Sequence, residues 1–237
     1  MNDSTEVAIV AAMEREVAPL IRDWTMILGH SRRVYEKGGV ILIAGGIGPK
    51  CASEAADAVL GFRQPSVILS VGLAGALDSA LSVGTVVVPT KVLRQDTEQA
   101  FTIEGGEGTL LTATTTADAS QKREMAARFA AQVVDMEAAG VAEVARRRGV
   151  KFAAVKAVSD ELDFPLPPLG RFVDAEGRFR TGRFVAHSVM RPRMWPVLSE
   201  LRRNATRATE ALCKVLSQIH SAADVEILLR TRSAKAS

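Results

Sequence analysis

Apolar runs that break into glycine- or acid-bearing turns and then into helix-forming stretches recur along this chain, and that recurrence constrains its fold more than any other feature. Val7 to Ala12 reads VAIVAA, the pattern of a strand buried on both faces, and passes through Met13-Glu14-Arg15-Glu16 into a helix carrying Val17, Leu20 and Ile21. Val40 to Ala44 leads into the turn GGIGPK at 45–50 and a helical Cys51 to Leu60. Ser66 to Val71 runs into Gly72-Leu73-Ala74-Gly75, and a further strand is expected from Thr85 to Pro89. Val133 and Val134 precede Met136-Glu137-Ala138-Ala139-Gly140 and an alanine-rich helix to Arg148, with Gly149 as its C-cap. Phe152 to Val158 is the last core strand. This alternation predicts a three-layer α/β/α sandwich with a mixed, mainly parallel central sheet, in which ligands collect at the carboxyl ends of the strands.

The remaining segments are less periodic. Gln95 to Ala117 is Thr- and Gly-rich and reads as a loop and strand edge near the surface. Asp163 to Gly170 is a proline-stiffened loop suited to a lid. A helix bearing Phe184, His187, Ser188 and Met190 follows, then a C-terminal helix from about Val197 to Ile219 and a frayed end, RTRSAKAS. With 237 residues, no internal repeat and no Pro/Ser-rich linker, a single domain over 1–237 is the expected organisation.

Composition narrows the partners. Two cysteines, Cys51 and Cys213, match no disulfide framework or metal spacing, which favours a reducing, cytoplasmic setting. The polar, acidic opening Met1 to Glu6 lacks the pattern of a secretory signal, and no apolar stretch is long enough to span a bilayer. Arginines cluster between Arg171 and Arg207, a basic surface suited to a solvated face or to an anionic partner such as phosphate or the inner face of a membrane. The scarcity of aromatics among them argues against a single-stranded nucleic-acid platform.

Three acids stand at the ends of predicted buried strands: Glu16 in AMEREV, Glu137 in VDMEAAG and Asp160 in KAVSDELD. Each alone could cap a turn or pair with a cation; together at one sheet edge they point to chemistry. The glycine turns at 45–50 and 72–75 allow close backbone approach to a ligand, yet equally suit tight packing, and neither fits the dinucleotide or P-loop fingerprint. His30, His187 and His220 are scattered, so no metal is expected, and no organic cofactor motif is present. No serine falls in a G-x-S-x-G elbow.

AAMEREV at 11–17, GGIGPKCA at 45–52, SVGLAGALDSALSVGTVVVPTKV at 70–92, VVDMEAAGVAEVA at 133–145 and VKAVSDELD at 155–163 follow the order of motifs in the nucleoside phosphorylase superfamily. They most resemble its methylthioadenosine/S-adenosylhomocysteine nucleosidase branch. The C-terminal segments LPPLGRF, FRTGRF and MRPRMWP look similar to a hopanoid-associated phosphorylase subgroup, whose proposed task is removing adenine from adenosylhopane. The resemblance implies cleavage of the N-glycosidic bond of a purine nucleoside, without a cofactor and in a homo-oligomer. Asp160 matches the aspartate that protonates purine N7, and its carboxyl must then carry or share a proton. Ser159 matches the residue orienting it, Glu137 the anchor of the ribose hydroxyls, Met136 the residue packed on the sugar, and Glu16 the acid that activates water. Gly72, Leu73, Ile47 and Lys156 complete the expected substrate-binding set.

Departures from the family pattern matter too. Leu73 stands where the nucleosidases carry serine, and Lys156 where arginine often precedes the Ser-Asp pair, so the phosphate contacts of a phosphorylase are weakened more than those for water. The Thr-rich run lacks the aromatic that stacks on the purine. Phe164, Leu166, Leu169 and Phe172 beside a basic, Trp195-bearing surface fit either plain packing or a large apolar 5′ substituent. The expected activity is therefore hydrolysis of an adenine nucleoside, with phosphorolysis and a catalytically inactive nucleoside-binding protein as the alternatives.

Overall fold

A computed structural model describes residues 6–27, 33–167, 169–174, 177, 179–180, 182–184, 191 and 194–233. Strands β1 (Val7–Ala11), β4 (Val40–Ala44), β5 (Val67–Ala76) and β11 (Lys151–Asp160) form the centre of the sheet, each an almost unbroken run of buried residues. Side chains buried on both faces suit a strand covered by helices on both sides. The ladders β1–β4, β1–β5 and β5–β11 are parallel. Antiparallel β2 (Thr25–Ile27) and β3 (Val34–Lys37) finish one edge beyond β4. Beyond β5 lie β10 (Val133–Asp135), β9 (Thr109–Thr112), β7 (Lys91–Arg94) and β8 (Ala100–Thr102), while β6 (Val86–Val87) pairs with β11.

The length of β5 is what opens a site. Its first half, Val67–Val71, is flanked by β1, and its end, Gly75–Ala76, pairs antiparallel with β10 along the edge that β1 has vacated. The turns leaving β1, β10 and β11 therefore meet around the end of β5.

Helices α2 (Pro49–Phe62) and α4 (Ala138–Arg148) cover one face through Ala52, Ala55, Ala56, Val141, Val144 and Ala145, packed on Ala8, Ile41 and Ile68. Short α1 (Ala18–Ile21), long α5 (Trp195–Leu216) and α6 (Ala222–Ser233) cover the other. In α5 the buried residues Ala208, Leu212 and Leu216 recur every four positions, and each buried leucine contributes roughly 1.5–3 kcal/mol. Helix α3 (Ala119–Phe129) packs Met125 against Leu77, Leu111 and Ala113. The three-layer sandwich matches the sequence expectation: the sheet is mixed and mainly parallel, with antiparallel ladders at its margins and between β5 and β10.

Three local expectations are corrected. The stretch 95–117 is a loop and strand edge only in its first part, where β8 ends the sheet; β9 is wholly buried between β10 and β7, because Thr112 spends its hydroxyl on Asp135 and so enters the interior as a satisfied polar residue. Thr85 to Pro89 shortens to β6. The C-terminal helix ends at Leu216, and a second helix, α6, runs to Ser233 and so takes in the first four residues of the expected frayed end, whose remainder lies outside the described residues. His187, Ser188 and Met190 lie outside the described residues. No helix among the described residues is long and apolar enough to cross a membrane.

Candidate active site

A cleft of about 240 Å³ opens at the end of β5, and the three acids singled out in the sequence all line it. Met13, Ile47, Leu73, Met136 and Ser159 line it as well. Gly72 and Lys156 lie behind this lining.

Asp160 ends β11. Register shifts between Val158 and Asp160, a bulge at Ser159 that turns the strand end towards the cleft. The Ser159 hydroxyl donates to Asp160 Oδ1 at 2.6 Å, and Lys122 Nζ donates to Oδ2. Lys122 comes from the first turn of α3, where Asp118 and Gln121 form a reciprocal capping box. Sequence reasoning missed Lys122, although the pattern Asp118-Ala-Ser-Gln121 carried the signal for a helix start just before it.

On the opposite wall, Glu16 occupies a 3-10 turn (Glu14–Glu16) directly after β1. Its Oε2 is buried and has no hydrogen-bond partner among the described residues. Burial, reinforced by the negative charge of Glu137, pushes its pKa up to about 8. Gly72, at φ +150°, is required here: a Cβ would stand 2.9 Å from Glu16 Oε2.

Glu137 sits between the two, at the start of α4. Its Oε1 accepts from the Gly48 N–H at 3.0 Å, at the N-terminus of α2, and its Oε2 from the Met136 N–H at 3.2 Å. Burial, with the charge of neighbouring Asp135, raises its pKa to about 7. Behind Glu137, Lys156 Nζ contacts Asp135 Oδ2 at 2.8 Å and donates to Ser70 Oγ at 3.1 Å. Burial alone disfavours this ammonium, but the charges of Asp135 and Glu137 and the bond to Asp135 outweigh it and raise the Lys156 pKa. Asp135 also accepts from Thr112 Oγ1 and from the Ala138 N–H, which caps α4. Asp135, Thr112 and Ser70 were not anticipated; each is a polar residue inside an otherwise apolar strand.

The outer wall is apolar. Leu166, Val173 and Phe179 line it together with Leu201 and Ala205 of α5. Phe179 packs on Phe184 at 5.4 Å and on Phe172 at 6.3 Å, with Arg15 over its face at 5.2 Å. The carbonyl of Gly177 accepts from the Ile47 N–H at 2.8 Å, tying this wall to the GGIGPK turn. Of the expected lid residues, Leu166 lines the cleft, whereas Phe164 and Phe172 are buried. Among the described residues, no group of three or more His, Cys, Asp or Glu side chains is arranged to hold a metal.

Sheet topology, cleft position and the acids around it define an α/β protein with a ligand cleft at the strand ends. A family model of the phosphorylase superfamily matches residues 3–121 and 107–217, and the chain belongs to that superfamily. It is 28% identical over 199 residues to the 5′-methylthioadenosine/S-adenosylhomocysteine nucleosidase of Bacillus pumilus, covering 65% of this chain and 85% of that one. The Bacillus subtilis nucleosidase of the same name is 28% identical over 196 residues, with the same coverage. The apo 5′-methylthioadenosine nucleosidase of Arabidopsis thaliana superposes with a TM-score of 0.70 at 18% identity, over 95% of this chain and 96% of that one, a likeness of fold. The sequence expectation of an enzyme, a nucleoside N-ribosyl hydrolase or phosphorylase, is borne out.

Proposed function

We propose that this protein hydrolyses the N-glycosidic bond of an adenine nucleoside carrying a bulky apolar 5′ substituent. The observation that carries the reading is the placement of Asp160 and Glu16 on one cleft, the first oriented by Ser159 and the second with a buried, unpartnered carboxylate oxygen.

Asp160 delivers a proton to purine N7, so that adenine leaves neutral as the C1′–N9 bond breaks. Glu137, held by two backbone N–H groups, accepts from the ribose hydroxyls, and Met136 packs on the sugar. Negative charge beside the ring favours the oxocarbenium-like transition state. Glu16 takes a proton from water, and its pKa of about 8 suits a base working near neutrality. Gly72 leaves room for that carboxyl, Ile47 and Leu73 wall the sugar, and Lys156 holds Asp135 beneath Glu137.

Water is favoured over phosphate on electrostatic grounds. Among the described residues, the cations lining the cleft are Arg15 and Lys122, the latter bound to Asp160; Lys156 is enclosed behind. A phosphate dianion at the Glu16 end would face a carboxyl with no arginine fork among the described residues to hold it. The apolar wall of Leu166, Val173, Phe179 and Leu201 supports the apolar 5′ group, for which a hopanoid chain is the candidate suggested by the C-terminal sequence resemblance.

Release of the free base (adenine, or hypoxanthine from inosine) from methylthioadenosine, adenosine, inosine and a long-chain 5′-alkyl adenosine, with and without phosphate, tests this. Phosphate-independent release, fastest with the alkyl substrate, is expected. Strict phosphate dependence would replace hydrolysis by phosphorolysis, and no release from any substrate would leave a nucleoside-binding protein.

A further inference from the structure

We propose that Lys122 is a positioning residue for bond cleavage, whose ammonium sets the Asp160 carboxyl in the cleft and resupplies the proton that Asp160 passes to the leaving purine. The proposal rests on the reading of Asp160 as the acid.

Lys122 is 1% exposed, yet it stands in the first turn of α3, where the helix dipole disfavours a cation. A buried ammonium in that place requires specific compensation. Its donors all go to one strand end: Asp160 Oδ2, the Glu161 carbonyl at 2.8 Å and the Asp160 carbonyl at 3.5 Å. The strand opposite makes room for the pair. A Cβ at Gly75 would stand 3.0 Å from Asp160 Oδ2, 3.1 Å from Lys122 Cε and 3.3 Å from Nζ. With Ser159 donating to Oδ1 and Lys122 to Oδ2, the carboxylate is held from both sides.

The contact gives Asp160 a donor from which a proton can follow as negative charge develops on the leaving purine, so the two groups act together in the step. In the proposed step one proton leaves Nζ for Asp160 and passes from Asp160 to N7. The C1′–N9 electron pair moves into the purine ring, adenine departs neutral, Asp160 remains a carboxylate and Lys122 is left as an amine. Water adds to C1′ and gives its proton to Glu16; the amine regains a proton from solvent as Glu16 releases one. The net reaction is nucleoside plus water to adenine plus the free sugar.

A lysine that only supported the fold would slow all substrates alike, so the test compares leaving groups, and a glutamine separates a hydrogen-bonding clamp from a proton source. Lys122→Met and Lys122→Gln are assayed on the 5′-alkyl adenosine and on 4-nitrophenyl β-ribofuranoside, whose phenolate leaves without protonation. Glutamine can still donate a hydrogen bond to Asp160 but carries no ammonium proton, and it remains informative if the methionine variant folds poorly. The expected result is a loss of about a hundredfold or more in kcat for the adenine nucleoside in both variants, with the nitrophenyl riboside within a few-fold of the parent. Equal losses on both substrates, no loss, or restoration by glutamine would overturn the proposal. Asp160→Asn on the same pair separates the two levels: if it shows the selective loss and the Lys122 variants do not, only the role of Lys122 falls. If Asp160→Asn shows no selectivity, the acid itself has been misassigned.

Discussion

Two lysines are buried at the end of the sheet, and the contrast between them separates scaffold from reaction. Lys156 and Asp135 both have side-chain exposures of 0%, and the pair lies behind the cleft, tied to Ser70, Thr112 and the start of α4. Lys122 and Asp160 have exposures of 1% and 7%, and both line the cleft. The first pair has no water to fall back on; the second can exchange with solvent or substrate. The first ion pair thus fixes the start of α4, while the second keeps its contact with the cleft.

The strongest way to break this contrast is to remove each lysine in turn and measure unfolding in denaturant. Lys156→Met should cost about 3–5 kcal/mol, because Asp135 is left charged and unpaired in the interior. Lys122→Met should cost less, because Asp160 can reach water through the cleft. A Lys122 variant less stable than the Lys156 variant would contradict the division. Adding Asp135→Leu to Lys156→Met should recover only part of the loss, since Asp135 also serves Thr112 and the Ala138 N–H.

A second test sharpens the picture at the water end. Folded Glu16 holds its proton up to about pH 8, whereas its ordinary value is 4.5. The folded state therefore binds more protons than the unfolded chain between those values. This contribution to stability is fully present below about pH 4.5 and is lost as the pH rises through about 8. Glu137, raised to about 7 by burial and Asp135, acts in the same direction. Glu16→Gln should flatten the decline between pH 5 and 9 by on the order of a few kcal/mol, leaving the part due to Glu137. Thermal unfolding across that range would show it, and an unchanged slope would mean that Glu16 is not the group holding the proton. The same variant should lose the rise in kcat/KM towards pH 8 expected of a base that must first ionise.

What the sequence disclosed follows the physics of each region. The central strands were legible because doubly buried strands are continuous apolar runs, and the acids were legible because they interrupt those runs at their ends. Thr109–Thr112 was not, since a buried strand whose threonine is satisfied by a distant aspartate looks polar in one dimension. Lys122 was hidden for a similar reason: its partner, Asp160, lies 38 positions away, and nothing local marks a lysine as buried. The apolar wall around Phe179 joins residues from several segments, so only the fold assembles it.

The smallest expected effect concerns Leu73, the departure that first suggested water as the nucleophile. Leu73 lines the cleft next to Gly72, whose lack of a Cβ leaves room for the Glu16 carboxyl. Leu73→Ser would add one hydroxyl donor near the nucleophile, and one neutral hydrogen bond contributes about 0.5–1.5 kcal/mol. A phosphate dianion placed there would still meet the Glu16 carboxyl, with Lys156 bound to Asp135 and Arg15 over Phe179. Phosphate-dependent adenine release should therefore rise by less than about tenfold, which adenine assays over a phosphate titration would resolve. A much larger gain would mean that the side chain at position 73, rather than the charge around Glu16, decides between water and phosphate.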